Sequence, residues 1–495
     1  MIGLNLMQEK PNHSQLSLVL ERPVLRSLSL SLSPVEAYRQ LGLEKASCFL
    51  FERGADGGAN ETDETFVMFS PMVTFRILPE GLWIEGIRAG GLKFNATIPG
   101  NPVKELQKLL ESGRVEGGDD LPSFSCGVVG YLGYDCVRYL ENIPLPETIS
   151  GEDEACFVLF RHILVADRRK GETLLVSHVL PGESRAAIAV EQDQIAEKLT
   201  RTGTKPSISS YEKGSGGLTL KSPVATNDFE AAVGKIRRHI LEGDIFQCVI
   251  SKRFSGKFSQ KAQAGELAVY ETLRDVNPSP YHFHFASSGQ TLVGASPEML
   301  VKVKGTKIST CPIAGTRARG GDPAEDKRRE RQLLDSPKET SEHVMLVDLS
   351  RNDIGKVSAP GTVRVPEFMK VHRFSHVMHL VSLVEGELSP KYSPWDALLS
   401  CFPAGTLTGA PKIRAMQIIS ALETQRRGAY GGAIVLFDFR GELDSCINIR
   451  SMVTQGDQCY VQAGAGVVFD SRAAREEEEI ENKSLVTRQA VEGIL

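Results

Sequence analysis

The sequence predicts an α+β fold in which large mixed or antiparallel β-sheets pack as a sandwich with flanking helices. Three observations lead to this prediction. Short runs of β-branched and aromatic residues recur between turn residues, apolar residues at helical spacing occupy other stretches, and strands and helices come in blocks. A doubly wound parallel fold requires strict alternation of strands and helices, so the block arrangement argues against it.

Residues 1–200 form the first block and are predicted to be mostly strand. The strand-like runs are SCFLFER, ETFVMFSP, LWIEGIRAGGLKF, CFVLFRHILVADRR and TLLVSHVL. Two helices are expected at VEAYRQLG and PVKELQKLLESG, because each has helical apolar spacing and ends in glycine. Residues 201–223 are rich in Gly, Ser, Thr, Lys and Pro, which is typical of a linker or an exposed loop.

Residues 224–495 form the second block, which is predicted to be one catalytic domain. Asn227 is a candidate N-cap of its first helix, and the strand-like run IFQCVIS follows. Further strands are expected up to residue 316, then helices around 335–357, 393–402 and 410–424. Three more strand-like runs and a charged final helix complete the chain.

The composition excludes several classes of protein. The chain has 495 residues, 41% of them hydrophobic, and a formal net charge of −5, which does not suit a nucleic-acid binder. Its apolar runs are too short to cross a membrane, and the first residues lack the pattern of a secretory signal. Nine cysteines without a CxxC pair indicate reduced thiols, so we expect a cytoplasmic protein.

Two pairs of glutamates are the first candidates for a functional site. Glu339 and Glu342 lie three residues apart, as do Glu476 and Glu479 in the charged final helix. Like charges on one helix face repel by about 0.2–0.5 kcal/mol. One interpretation is a solvated surface, and the other is a pair of helices that face each other across a cleft and hold Mg²⁺, which prefers oxygen ligands.

Glycine-rich segments and histidines give weaker signals. PIAGTRARG, FPAGTLTGAPK, GAYGGA and QAGAGVV are either tight turns or places where the backbone approaches a ligand, and none matches a dinucleotide or phosphate loop. His372, His376 and His379 have the spacing of one helix face. No other His or Cys cluster completes a zinc site, so a single buried or catalytic histidine is the favoured interpretation.

A series of segments nevertheless occurs in an order and spacing that resemble the chorismate-utilising enzymes. These segments are GASPE (294–298), PIAGTRARG (312–320), KETSEHVMLVDLSRND (338–353), HVMHLVS (376–382), GTLTGAPKIRAMQII (405–419), GAYGGA (428–433), DSCINIRS (444–451) and QAGAGVVFDS (462–471). Within this family they are most similar to the large subunits, component I, of anthranilate synthases. The first 200 residues are similar more loosely.

The resemblance implies a site for chorismate, a dicarboxylate. It implies Mg²⁺ bound by Glu342 and Glu479, with Glu339 and Glu476 beside it. It also implies substrate contacts from Gly315, Thr316, Tyr430, Arg450, Gly464, Ala465, Gly466 and Lys483. Family members add a nucleophile at ring carbon C2 while the C4 hydroxyl leaves, so a general acid is required. Glu298 matches that acid, Thr406 belongs to the catalytic set, and burial and neighbouring carboxylates should raise the pKa of Glu298.

Three positions bear on which reaction is catalysed. Gln247 stands where isochorismate and salicylate synthases carry a water-activating lysine, and Ala314 stands where aminodeoxychorismate synthases carry lysine. His379 matches a histidine that anthranilate synthases use to eliminate pyruvate and form the aromatic ring. The resemblance therefore implies that chorismate and ammonia give anthranilate, the first committed step of tryptophan biosynthesis. Aminodeoxychorismate synthesis is the alternative activity, and a noncatalytic tryptophan-sensing or scaffold subunit is the alternative of another class.

The resemblance also implies a partner and an effector. The cysteines include no G-x-C-x-G turn of a glutaminase, so a separate glutamine amidotransferase subunit, component II, is expected to supply ammonia, as in a heterotetramer. The resemblance implies a tryptophan-like regulatory site made by residues 1–200 together with the segment around 277–283. Its residues would be Glu52, Arg53, Asn277, Pro280, Tyr281 and His282. Bacterial relatives have serine and methionine where Arg53 and His282 stand, so we expect weakened or altered inhibition by tryptophan unless Arg53 points away.

Overall fold

A computed structural model of the chain describes residues 18–29, 32–43, 46–54, 62–87, 93–118, 121–146, 153–200, 218–258, 265–373 and 377–493. Its strands are β1 (Val19–Leu28), β2 (Cys48–Gly54), β3 (Thr62–Leu78), β4 (Gly81–Ile87), β5 (Lys93–Ile98), β6 (Arg114–Val115), β7 (Gly127–Leu132), β8 (Ala155–Asp167), β9 (Glu172–Val179), β10 (Gln247–Lys257), β11 (Tyr281–Ser287), β12 (Gln290–Ser296), β13 (Met299–Lys304), β14 (Lys307–Thr310), β15 (Ile313–Ala318), β16 (Arg364–Arg373), β17 (Val377–Glu387), β18 (Gly409–Ala410), β19 (Ala433–Asp438), β20 (Glu442–Ile447), β21 (Ser451–Gln455) and β22 (Gln458–Val467).

The helices flank these strands. They are α1 (Pro34–Gln40), α2 (Pro102–Glu111), α3 (Arg185–Thr200), α4 (Thr226–Leu241), α5 (Glu266–Val276), α6 (Pro323–Leu334), α7 (Pro337–Gly355), α8 (Pro394–Cys401), α9 (Gly405–Thr408), α10 (Lys412–Leu422) and α11 (Ala473–Glu492). Within the part of the chain that is described, no helix is both long and apolar enough to span a membrane. The first helix of the second block begins at Thr226, and Ala225 is its N-cap. Asn227 lies inside the first turn, so the prediction that it caps this helix is wrong.

The strands form a long, almost wholly antiparallel ladder, which confirms the predicted α+β class. Neighbours in this ladder run β18–β10–β22–β21–β12–β11–β2–β3–β8–β7–β19–β20–β13–β14–β17, and both β15 and β16 lie beside β17. Antiparallel neighbours need no crossover helix, which explains why strands and helices come in blocks.

Strands from the two blocks of the sequence share this ladder. Strand β2 pairs with β11, and β7 pairs with β19. The core joins them as well, because Trp395 of α8 packs edge-on against Phe157 of β8 and Phe437 of β19, with ring centroids 5.4 and 5.9 Å away. The first part of the predicted linker, 201–217, lies outside the described residues, and Lys221 pairs with Ser255 in an isolated bridge.

The histidines at helical spacing lie on strands. His372 of β16 stands directly opposite His379 of β17, and His376 lies outside the described residues. The idea that these residues share a helix face is therefore wrong. At the start of β17 half-buried and buried side chains alternate, with Val377 and His379 half-buried and Met378 and Leu380 buried, which is the period of a strand.

Candidate functional site

The acidic helices α7 and α11 face each other. Ser336 caps α7 by accepting a hydrogen bond from the N–H of Glu339 at 3.5 Å, and Pro337 is the first residue of the helix. Glu339 and Glu342 are three residues apart in this helix, so they lie about one turn apart on the same face. Lys338 of α7 acts electrostatically on Glu476 of α11, and Lys483 of α11 acts on Glu342 of α7. The structure thus brings together two segments that are more than 100 residues apart.

Burial is the main reason why two of these glutamates hold their protons more tightly than usual. It raises the pKa of Glu342, and the charge of Glu339 raises it further. Burial also raises the pKa of Glu476, and Glu479 adds to that effect. Cationic side chains offset this repulsion, since Lys483 pairs with Glu479 at 2.5 Å and Arg317 with Glu339 at 3.3 Å.

The four glutamates offer oxygen ligands on two sides of one cleft. Among the residues described, a group of three or more ligating atoms within 4.8 Å of one another occurs only at His239, Glu242 and Asp244, at the end of α4 and the turn that follows. The four carboxylates therefore do not close a cage by themselves. This arrangement fits Mg²⁺, because that ion uses one or two protein carboxylates and completes its shell with water and an anionic ligand.

A glycine-rich strand forms the wall beside α11. Gly464, Ala465 and Gly466 lie on β22, opposite β10. This confirms the strand-like run expected near the end of the chain, and the alternative of a tight turn is wrong. A Cβ atom at Gly466 would stand 2.4 Å from Nε2 of Gln247, and one at Gly464 would stand 3.0 Å from the Tyr430 hydroxyl. Neighbouring side chains therefore lie close to the backbone at both positions, where glycine leaves them room.

Arg450 and Lys483 bring positive charge to this wall. The Arg450 guanidinium donates to the Lys483 carbonyl oxygen, and Lys483 Nζ donates to the Gly464 carbonyl oxygen at 3.1 Å. Arg450 has a φ of 53°, in the left-handed region that non-glycine residues seldom adopt. Burial lowers the pKa of Arg450, while Tyr430 and Glu479 raise it. An anionic ligand would relieve the cost of keeping this guanidinium out of water.

Glu298 is a buried carboxyl group between β12 and β13. Burial raises its pKa to about 8, and Thr406 and Lys483 lower it. Burial, and not the expected neighbouring carboxylates, is what raises this pKa. Thr406 of α9 donates its hydroxyl to the carboxylate, with distances of 3.1 and 3.2 Å to the two oxygens. Glu298 is therefore largely protonated at neutral pH and can act as a general acid.

His379 stands opposite Thr316 in the β15–β17 ladder. Its Nδ1 lies 3.1 Å from the carbonyl oxygen of Gly315 and 3.0 Å from the Thr316 hydroxyl. A carbonyl oxygen can only accept, so the proton belongs on Nδ1 and Nε2 has the lone pair. Burial lowers the pKa of His379 to about 4, so the ring is neutral at pH 7.

Lys483 lies close enough to each of these groups to affect its charge, which indicates one shared site. Its charge acts on Glu298, Glu342, Glu476 and His379. Strands from opposite ends of the ladder, β10–β22 and β15–β17, therefore meet around this lysine. The chemistry available at the site is a general acid, a neutral imidazole, a set of oxygen ligands and two cations for an anion.

The six predicted regulatory residues do not line one face. Glu52 accepts from the Tyr270 hydroxyl at 2.5 Å and pairs with Arg274, while His282, its partner across β2–β11, lies 3.2 Å from the Asn277 carbonyl oxygen.

Arg53 and its cross-strand partner Tyr281 point to the other side of the sheet, because successive residues of a strand alternate. There Arg53 pairs with Asp444 at 2.5 Å, and Tyr281 donates to the same carboxylate at 3.3 Å. The carbonyl oxygen of Pro280 accepts from Gly54. Arg53 therefore points away from the face that carries Glu52 and His282.

The structure adds contacts around the glutamates that motif matching did not predict. Gln247 donates from Nε2 to Glu342 at 3.1 Å, Ser471 bonds to Glu476, and Lys338 acts on both buried glutamates. Lys338 could have been found from the sequence, because it lies four residues before Glu342. Gln247 and Ser471 come from distant segments, so local spacing gives no signal for them.

Comparison with known proteins decides the family. Residues 85–488 match the family described as chorismate binding enzyme. The chain belongs to the chorismate binding enzyme family. A relative from Acetivibrio thermocellus, anthranilate synthase component 1, is 40% identical over 470 residues, covering 93% of each chain. A relative from Bacillus subtilis, aminodeoxychorismate synthase component 1, is 38% identical over 79% of this chain and 83% of its own.

Solved structures of chorismate binding enzymes show the same architecture. The crystal structure of anthranilate synthase component I from Streptococcus pneumoniae superposes with a TM-score of 0.74 and 33% identity, covering 92% of this chain and 97% of that one. The menaquinone-specific isochorismate synthase of Escherichia coli, at 18% identity and a TM-score of 0.68, supports the fold alone. The chain is a chorismate-utilising enzyme.

Proposed function

We propose that this enzyme is the large subunit of an anthranilate synthase, which converts chorismate and ammonia into anthranilate and pyruvate with Mg²⁺. The observation that carries the proposal is the pairing, in one site, of a protonated carboxyl group, Glu298, with a neutral imidazole, His379. The two steps of the reaction need one acid and one base, and these two residues match those roles.

The site is suited to an anionic ring. Arg450 and Lys483 supply the positive charge, and a guanidinium can hold a carboxylate with two hydrogen bonds. Glu342 and Glu479, with Glu339 and Glu476 beside them, would hold Mg²⁺. The bound ion would neutralise the repulsion between these glutamates and a substrate carboxylate. The close-packed wall of Gly464, Ala465 and Gly466 would keep water from the ring.

In the first step, ammonia forms a bond to ring carbon C2, the two conjugated ring double bonds each shift by one position, and the C4–oxygen bond breaks. Glu298 gives its proton to the departing hydroxyl group, which leaves as water. The Thr406 hydroxyl donates a hydrogen bond to the carboxylate that remains and so stabilises it. The new ring nitrogen then loses one proton, so the carboxyl group of Glu298 can be restored.

In the second step, a base removes the proton from C2 and the bond from C3 to the enolpyruvyl oxygen breaks. The ring becomes aromatic, and the enolpyruvate takes up a proton to become pyruvate. Nε2 of His379 is the basic atom, because the Gly315 carbonyl oxygen keeps the proton on Nδ1.

A second activity has support from one comparison, since the Bacillus subtilis relative is named aminodeoxychorismate synthase component 1. Ala314 favours anthranilate synthesis, because a buried methyl group on β15 stands at the position where aminodeoxychorismate synthases typically carry lysine. One assay separates these possibilities. Incubation with chorismate, Mg²⁺ and ammonium should produce anthranilate fluorescence, whereas accumulation of aminodeoxychorismate would indicate the second activity and no turnover a noncatalytic subunit.

We further propose that ammonia comes from glutamine through a separate glutamine amidotransferase subunit. Eight cysteines are buried and Cys311 is half-buried. Burial raises the pKa of the Cys248 and Cys401 thiols to about 12, which disfavours the thiolate that a glutaminase needs. The purified chain should work with ammonium but not with glutamine, and glutamine-dependent turnover by the chain alone would refute this.

Tryptophan inhibition is proposed for the face that carries Glu52, Asn277 and His282. Arg53 points away from this face and does not obstruct it. Of the two positions that differ from the bacterial relatives, only that of His282 would therefore lie beside the proposed ligand. We expect weaker inhibition than in relatives with methionine at that position. Inhibition by sub-micromolar tryptophan would contradict this expectation.

A further inference from the structure

A small cavity adjoins Glu298 without belonging to the proposed substrate site. Its volume is about 30 Å³, and Glu298 and Thr406 are among the residues that line it. None of the residues assigned to chorismate or to Mg²⁺ lines it. The cavity therefore gives the general acid a second neighbouring space, apart from the one that the substrate would fill.

Helix α7 leads from the acidic cleft to this cavity. Three residues that line the cavity follow Glu342 at intervals of four, four and three positions, so they share its face of the helix; they are Leu346, Ser350 and Asp353. Gly405 forms part of another wall, where a Cβ would stand 2.1 Å from Cδ2 of Leu349. Such close packing keeps the cavity narrow.

The size and the lining of the cavity suit water. One water molecule needs about 10–15 Å³ of such space and two to four polar partners, so there is room for about two. An organic ligand needs a much larger pocket. Hydroxyl and carboxyl groups come from Glu298, Thr310, Ser350, Asp353 and Thr406. These groups offer enough hydrogen-bond partners for water at both ends of a short chain of molecules.

One side of the cavity lies near solvent. Asp353 accepts hydrogen bonds from Lys412 at 2.6 Å and from Lys356 at 3.2 Å, and the Lys356 side chain is 53% exposed. Ser350 is half-buried and precedes the exposed residue Arg351 on α7. Water beside Asp353 and Ser350 is therefore close to the protein surface, whereas water beside Glu298 is not.

The proposed reaction removes the proton of Glu298 once in every turnover. The departing hydroxyl group takes it, and a carboxylate remains at a position that is only 8% exposed. An ionised carboxylate is costly to keep out of water. Glu298 must regain a proton before it can act again, and during the reaction the ring occupies its substrate side.

We propose that water in this cavity returns a proton to Glu298 in each turnover, along a route that begins in solvent beside Ser350 and Asp353. This inference rests on the proposed function. Solvent gives a proton to the outer water, and the inner water gives one to the Glu298 carboxylate. The new ring nitrogen releases one proton to solvent, so the enzyme gains and loses no proton overall.

The test compares the first turnover with the steady state in the full-length protein. Ser350→Leu places a larger apolar side chain in the cavity wall, and leucine is a good helix former at this half-buried position. At pH 7 the enzyme begins with Glu298 largely protonated. With saturating Mg²⁺ and ammonium, the rate of a single turnover should stay within about twofold of the wild-type value, while steady-state kcat falls at least about fivefold. A variant that only disturbed the packing around Glu298 would slow both rates.

Asn352→Leu provides a matched control. Asn352 is on the same helix, two positions from Ser350, but it is exposed and does not line the cavity. Both rates should remain within about twofold of the wild-type values. A fall in kcat equal to that of Ser350→Leu would overturn the inference.

A second variant keeps the inference testable if Ser350→Leu does not fold. Thr310 donates its hydroxyl to the Leu300 carbonyl oxygen at 2.8 Å, and the lone pairs of that hydroxyl remain for water. Thr310→Val keeps the shape of the side chain and removes this partner, so it should lower steady-state kcat more than the single-turnover rate. Equal effects on the two rates would overturn the inference.

The outcomes separate this inference from the proposed function. An unchanged kcat in folded Ser350→Leu, or equal slowing of both of its rates, would overturn the inference and leave the proposed function intact. If the wild-type protein makes no aminated product from chorismate and ammonium, the function and the inference fail together.

Discussion

Thr406 donates to the carboxyl group of Glu298, with 3.1 and 3.2 Å between its hydroxyl oxygen and the two carboxyl oxygens. Burial raises the pKa of Glu298 to about 8, and the Thr406 bond lowers it because the hydroxyl stabilises the ionised form. The balance of these two effects sets the pH range in which Glu298 holds a proton for the leaving group.

Replacing Thr406 with valine should therefore move the alkaline limit of activity to higher pH. Activity falls as the pH rises through the pKa of Glu298, because the acid form is lost, and without the hydroxyl that pKa is higher. The measurement is kcat/KM for chorismate from pH 6 to 10. Glu298→Gln should reduce turnover by about 10²- to 10⁴-fold at every pH, and an alkaline limit that moves downward in Thr406→Val would contradict this assignment.

Removing a proposed Mg²⁺ ligand should raise the metal requirement. Glu342→Gln and Glu479→Gln each delete one negative charge from the oxygen ligand set, so the half-saturating Mg²⁺ concentration should increase at least about tenfold. The measurement is ammonium-dependent turnover, titrated with Mg²⁺ after EDTA treatment. Glu478→Gln, one residue from Glu479 but exposed on α11, is the matched control and should titrate like the wild type. Turnover that resists EDTA would rule out the metal site.

His379→Gln should separate the two chemical steps. The first step uses Glu298, so amination should continue, whereas elimination of pyruvate loses its base and the aminated intermediate should accumulate. Chromatography of the products over time measures the ratio of this intermediate to anthranilate. His372→Gln, at the facing position of β16, should give mainly anthranilate. Equal loss of both products in His379→Gln would assign this residue to binding instead.

Buried histidines should make the fold sensitive to acid. Burial lowers the pKa of His284 to about 4, below the value of about 6.5 for an unfolded chain. The unfolded state therefore binds more protons between these values. The stabilising contribution is complete above pH 6.5 and is lost as the pH falls towards 4. His284→Phe, which keeps a ring beside Tyr38, should flatten the fall in the free energy of unfolding over this range.

Denaturant unfolding at several pH values gives the slopes for the wild type and for His284→Phe. Identical slopes for the wild type and His284→Phe would show that His284 does not titrate on unfolding.

Arg53 should matter to stability. Its partner Asp444 has only 1% of its side chain exposed, so Arg53→Met leaves a buried carboxylate short of its closest cation. We expect a loss of about 3–5 kcal/mol in the free energy of unfolding. Arg328→Met removes an arginine from a surface pair with Glu325, 68% of its side chain being exposed, and should cost less than about 1 kcal/mol. Chemical denaturation of the wild type and of both variants measures these differences in the free energy of unfolding.

The predictable part of this molecule is the part that local patterns describe. Alternating runs identified most strands, and ordered motifs identified the residues that meet at Lys483. The pairing of β10 with β22 joins residues some 200 positions apart, and Gln247 bonds to Glu342 from 95 positions away, so neither contact could be derived from spacing. Arg53 is a different case, since alternation along β2 already implied that it and Glu52 point to opposite faces.

The shared ladder also bears on how this protein could be divided. Because β2 is hydrogen-bonded to β11 and β7 to β19, a protease cut between residues 201 and 217 would leave the two fragments bound to each other. Either fragment synthesised alone would expose unpaired strand edges and tend to aggregate. The proposed effector site on β2 and the proposed catalytic groups farther along the chain consequently belong to one cooperative folding unit, and neither can be transplanted without the other.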